Sequence, residues 1–133
     1  MIMSAVDTNV LLRLLVDDPG NKKQCTIARK WASELEETLY ISQIIQVELV
    51  WVLKKAYEFP KENILLVLQT LNTNGAFELQ RSDIFKSALS YYKLNNVDFS
   101  DAIILSEAES SMLTPLVTFD KKLGKLNNTV LLA

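Results

Sequence analysis

Five acidic residues and the absence of histidine set the chemistry open to this chain. Asp7 stands in VDTNVLLRLL between two apolar runs, Glu48 in the middle of IIQVELVWVL, Asp98 and Asp101 three apart in NVDFSDAIIL, and Asp120 at the end of LVTFD. A carboxylate inside an apolar stretch is costly unless it is paired, protonated or bound to a cation. On a helical wheel Ile44, Ile45, Trp51 and Val52 fall beside Glu48, which puts that carboxylate on an apolar stripe. Asp98 and Asp101 face the same way at a helix start, and where one acid suffices as a cap the second calls for another role. Singly, each acid has an ordinary use: Asp7 and Asp120 as helix N-caps, Glu48 as the partner of Lys54, Lys55 or a distant arginine. Gathered in one pocket, they repel and raise one another's pKa, a conflict that a hard divalent cation relieves.

The rest of the composition narrows the choice of cation and of reaction. Without histidine, Ser-His-Asp and Cys-His catalysis and imidazole base work are excluded, and the lone Cys25 leaves zinc without its usual ligands. Oxygen donors alone suit Mg²⁺ or Mn²⁺. Such ions activate water and steady both oxygens of an in-line displacement at phosphorus. A formal charge of −2 argues against gripping nucleic acid by a bulk positive field, but a metal-filled acidic pocket attracts phosphate locally. Arg13, Lys54, Lys55, Lys121 and Lys122 are the nearby cations that could steer a nucleic-acid backbone.

The elements that must position these acids follow from periodicity and breakers. Short apolar runs read as strands at Ile2 to Val6, Leu39 to Ser42, Ala76 to Leu79, Pro115 to Phe119 and, weakly, TVLL at 129–132. Between them helical rhythm fills 8–16, 22–37 (with Ile27, Trp31 and Leu35 at helical spacing), 42–59, 60–73, 81–96 and 99–111. Pro19, Gly20 and Pro60 interrupt them, and Ser42 is a plausible cap. Strands alternating with helices predict an α/β fold, one domain over 1–133 with a parallel sheet covered on both faces. In such sheets sites form where loops leave the carboxyl ends of strands, which is where Asp7 and Asp120 fall. No apolar run approaches the roughly 20 residues of a membrane helix, and MIMSAVD lacks the basic start of a signal peptide, so a cytoplasmic protein is expected. Cys25 reads as a small residue on a helix, and Tyr91 and Tyr92 as helix packing.

VDTNVLLRLL, SQIIQVELVWVL, DFSDAIIL and LVTFDKKL, in this order and spacing, resemble a PIN domain, and within that family the VapC-type ribonuclease toxins of toxin–antitoxin pairs. The resemblance covers nearly the whole chain. It implies an α/β/α sandwich around a central, mostly parallel five-stranded sheet, and a metal-dependent endoribonuclease. Asp7, Glu48, Asp101 and Asp120 would then bind Mg²⁺ or Mn²⁺, with Asn9, Ser42, Asp98 and Thr118 in support. It further implies an RNA substrate, a homodimer and a neutralising antitoxin. One departure is the absence of glycine in ESSMLTP, where relatives often end a helix with that residue. Two rivals remain. A phosphatase with a nucleophilic aspartate commonly needs a second aspartate two residues on, where this chain has Asn9. A PIN-like binding module would use its acids only as caps and ion pairs.

Overall fold

The computed structural model describes residues 3–133, which form two compact units divided between Gln80 and Arg81. The first unit runs β1 (Ser4–Ala5), α1 (Thr8–Leu15), a 3-10 turn (Pro19–Asn21), α2 (Lys22–Ser33), β2 (Leu39–Ile41), α3 (Gln43–Lys55), α4 (Lys61–Thr73) and β3 (Phe77–Leu79). Its strands form a parallel sheet in the order β1-β2-β3, with Ser4 opposite Leu39 and Leu39 opposite Phe77. Leu11, Leu12, Ile41, Leu49, Leu53, Ile64, Leu68 and Leu71 are its fully buried aliphatic residues.

Local chemistry sets where these helices begin and stop. The Asp7 carboxylate accepts from the Val10 N–H at 3.0 Å and the Ser42 hydroxyl from Ile45 at 3.4 Å, satisfying first-turn donors of α1 and α3. Lys54 and Lys55 lie in the last turn of α3, where positive charge suits the helix dipole. The helix then ends ahead of Glu58 (φ 55°) and Pro60. Gln46, wholly buried in α3, donates its amide to the carbonyls of Ile41 (3.2 Å) and Gln80 (3.0 Å). It therefore ties the ends of β2 and β3 together just beyond their ladder.

Arg13 is taken up inside this unit. Its guanidinium donates to the Tyr57 hydroxyl (3.0 Å) and Gln24 (2.8 Å) and lies 3.7 Å from Asp18. The Tyr57 hydroxyl donates in turn to Asp18 at 2.7 Å. That bond, with help from Asn21, holds the Asp18 carboxyl below its ordinary range, while burial and then Asp18 push Tyr57 up. Cys25 is buried on α2 with its thiol toward the Val16 carbonyl, so the small-residue reading of it holds.

The second unit runs α5 (Ser82–Leu94), α6 (Phe99–Ser110), β4 (Leu116–Thr118), a 3-10 turn (Leu123–Lys125) and β5 (Thr129–Leu131). Phe99 packs edge-to-face on Phe85 (5.8 Å) and Tyr92 (5.7 Å), locking α6 to α5; such pairs add about 0.5–1.5 kcal/mol each beyond burial. Tyr91 donates to Glu109, and burial followed by that bond pushes its hydroxyl up to about 12. Both tyrosines thus serve the helix pair. β4 and β5 pair in parallel, Val117 opposite Val130. Gly124 permits their close connection, since a Cβ there would meet Leu131 at 2.9 Å.

Several expectations need correction. The described strands pair as three and two, not as one five-stranded sheet. Each is three residues or shorter, and the described part of β1 is only Ser4–Ala5. Apolar runs show that strands exist but not which strand borders which; Ile2, the expected start of β1, lies outside the described residues. The second helix stops at Ser33 rather than continuing to 37. Its Ile27 and Trp31 are exposed, so their spacing marks a surface stripe.

The missing glycine after α6 leaves the helix end intact. Met112 takes the left-handed conformation (φ 58°), its N–H reaches the Glu109 carbonyl at 3.1 Å, and that of Leu113 reaches Ala108 at 2.8 Å. This is a Schellman motif built on a side-chain-bearing residue. Met112 is 88% exposed, so little packing offsets the left-handed penalty. Met112→Gly should therefore stabilise the fold by up to about 1 kcal/mol in denaturant titration. Tyr57→Phe should lower the melting midpoint at neutral pH. Asp18 has a depressed carboxyl in the fold, so its contribution is present above the ordinary carboxylate pKa and disappears as pH falls through the folded value. The gap between wild type and Tyr57→Phe should accordingly narrow below about pH 4.

Candidate active site

In the first unit Asp7 follows the carboxyl end of β1 and is exposed, with one carboxylate oxygen engaged in capping α1. Next to it Thr8 is buried, and its hydroxyl donates to Oε1 of Glu48. That bond links the start of α1 to the middle of α3 and brings Glu48 to the residue beside Asp7. Glu48 itself is exposed. The stripe expected to bury it is open: Ile44 is 75% and Trp51 61% exposed, and the fully buried side of α3 is Gln46, Leu49 and Leu53 instead. The helical wheel is right about which residues share a face with Glu48 and wrong about where that face points.

Asp7 and Asn9 also line a groove of about 630 Å³ between α1 and α2. Val10, Ile27, Ala28 and Trp31 make most of it apolar, with Gln24 and Arg13 at polar positions. Arg13, expected to steer a nucleic-acid backbone, is instead committed to Tyr57, Gln24 and Asp18.

In the second unit Asp98, at the N-cap position of α6, Asp101, one turn on, and Asp120, just after β4, line one cavity of about 230 Å³. Asn96, Val97, Lys121 and Lys122 complete it, both lysines being exposed. Burial pushes the Asp101 carboxyl above its ordinary range, and the charges of Asp120 and then Asp98 push it further. Asp120 is held firmly. Its N–H donates to the Thr118 hydroxyl (2.9 Å) and its carboxylate accepts from Leu123 (2.8 Å), which makes it the cap of the turn after β4.

Among the described residues, no three His, Cys, Asp or Glu side chains stand as a group that could hold a metal ion as they lie. The donor chemistry nevertheless fits a hard cation. Every candidate is a carboxylate, and the Asp101 pocket concentrates negative charge that a cation would offset. Sequence reasoning missed Thr8 and Gln46. A threonine at the first turn of a helix and a glutamine between apolar residues carry no signal until the fold supplies their distant partners.

No helix among the described residues is long and apolar enough to cross a membrane. The VapC ribonuclease of Aquifex aeolicus (strain VF5) is 24% identical over 127 residues, covering 93% of this chain and 92% of that protein. The family model of the PIN domain matches residues 5–128, from β1 to the loop before β5 and across every acid considered above. This chain belongs to the PIN domain family.

Proposed function

We propose that this protein is a metal-dependent endoribonuclease, the toxin of a toxin–antitoxin pair, acting on RNA in the cytoplasm. Family membership and a relative named as a ribonuclease support the reaction class. The observation that carries the metal dependence is the crowding of Asp98 and Asp120 on Asp101, a carboxyl already held above its ordinary range. Asp7, Glu48, Asp101 and Asp120 would hold Mg²⁺ or Mn²⁺ through oxygen alone. When bound, such an ion lowers the pKa of water and stabilises charge on phosphate oxygens.

The chain's own residues supply position and charge. Thr118 fixes the backbone of Asp120, and Lys121 and Lys122, exposed on the cavity, face the region where phosphate charge would arrive. Lys54, at the end of α3, is a further point for the RNA backbone. The apolar groove lined by Ile27 and Trp31 suits a segment of the antitoxin, and exposed Ile44 and Trp51 offer apolar surface for a second copy in a homodimer.

One observation favours a second reading, an inactive PIN-like binding module: Asp7 and Asp120 both have capping roles that need no chemistry. Asparagine separates the two readings, because it caps helices as well as aspartate but is a much poorer ligand for Mg²⁺. Asp7→Asn and Asp101→Asn should each reduce cleavage of RNA by on the order of 10²-fold or more, with the fold kept. The same loss should follow metal removal with EDTA. Cleavage at the wild-type rate by both variants would exclude the nuclease reading. Sequencing 5′ ends after brief induction, wild type against Asp7→Asn, identifies the RNA that is cut.

The burial of Asp101, with the charges of Asp120 and Asp98 beside it, makes a separate prediction. A carboxyl whose folded pKa is raised destabilises the fold as pH climbs from its unfolded to its folded value, and the penalty persists above both. Asp101→Asn should therefore melt above the metal-free wild type at neutral pH. That advantage should vanish below the carboxylate range, and added Mg²⁺ should raise the midpoint of the wild type alone.

A further inference from the structure

We infer that Thr8 is the positioning residue for Glu48, aiming that carboxylate at a divalent cation; this rests on the metal-dependent nuclease reading. Thr8 occupies the first position of α1, immediately after Asp7, and is only 4% exposed. Its hydroxyl donates to Oε1 of Glu48, forty residues along the chain on α3, while Glu48 is exposed. An exposed glutamate ordinarily samples many rotamers, and ordering it costs conformational entropy. Threonine is the opposite: its β-branch confines χ1 to few states, and burial confines it further. At the first turn its hydroxyl has no preceding helical carbonyl to bond back to, so the donor is available for a distant acceptor. A rigid, buried donor thereby holds one oxygen of an exposed acid at Thr8, the residue that follows Asp7. Groups that orient ligating carboxylates in this way tune metal affinity without touching the metal.

Mn²⁺ uptake by the full chain, read from the electron paramagnetic resonance signal of free Mn²⁺, tests this alongside the metal-free melting midpoint. Thr8→Val keeps the branched shape and removes the hydroxyl, and should weaken Mn²⁺ binding roughly tenfold or more. Thr8→Ser should restore wild-type binding, with the midpoint of both variants near that of the wild type. Should valine prevent folding, Thr8→Ala is read in its place. Wild-type Mn²⁺ binding by Thr8→Val, while Glu48→Gln and Asp101→Asn lose it, overturns the inference and leaves the nuclease reading standing. Equal weakening in Thr8→Val and Thr8→Ser also overturns it, since methyl packing would then be responsible. No uptake by the wild type, or none lost in Glu48→Gln and Asp101→Asn, overturns the nuclease reading together with the inference.

Discussion

Like charges lining one cavity around a half-buried carboxyl are the constraint that sets the second unit's electrostatics. Asp101 stands in the first turn of α6 on the cavity it shares with Asp120 after β4, and burial, then the charges of Asp120 and Asp98, make its ionised form unfavourable. The lysines of the cavity are exposed, and Asp120 spends its hydrogen bonds on backbone donors. Asp98 and Asp120 are exposed, so the desolvation cost falls on half-buried Asp101, and a ligand of opposite charge beside it would offset that cost.

In the first unit several polar side chains are instead paired within the fold, although the buried Gln46 Oε1 finds no partner there. Arg13, Tyr57, Asp18 and Gln24 satisfy one another, and Gln46 satisfies two strand-end carbonyls from full burial. These bonds fix α1 and α3, the two helices that carry Asp7 and Glu48.

Much of this was legible in the sequence. Helix starts and stops follow from Asp7, Ser42, Pro19 and Pro60, each of which acts through its own backbone neighbours. The pairing of Asp98 with Asp101 follows from helical spacing alone. What could not be read depends on groups far apart in the chain. The division of the strands into three and two depends on ladders between segments that are too short to announce their neighbours. The exposure of Ile44 and Trp51 depends on which side of α3 meets the core. Arg13 could be assigned to RNA or to the interior only once Tyr57, 44 residues later, was placed beside it. Thr8 gained its meaning from Glu48 in the same manner.

The capping bonds of Asp7 and Asp120 have an evolutionary corollary. Folding asks only for a short side chain with an oxygen at these two positions, and an amide meets that demand. Selection for solubility and shape alone would let the negative charge drift away through a single-base change. Charge retained at both positions in descendants of this protein would therefore be a record of activity, and amides there would mark lineages that kept the scaffold after abandoning the reaction.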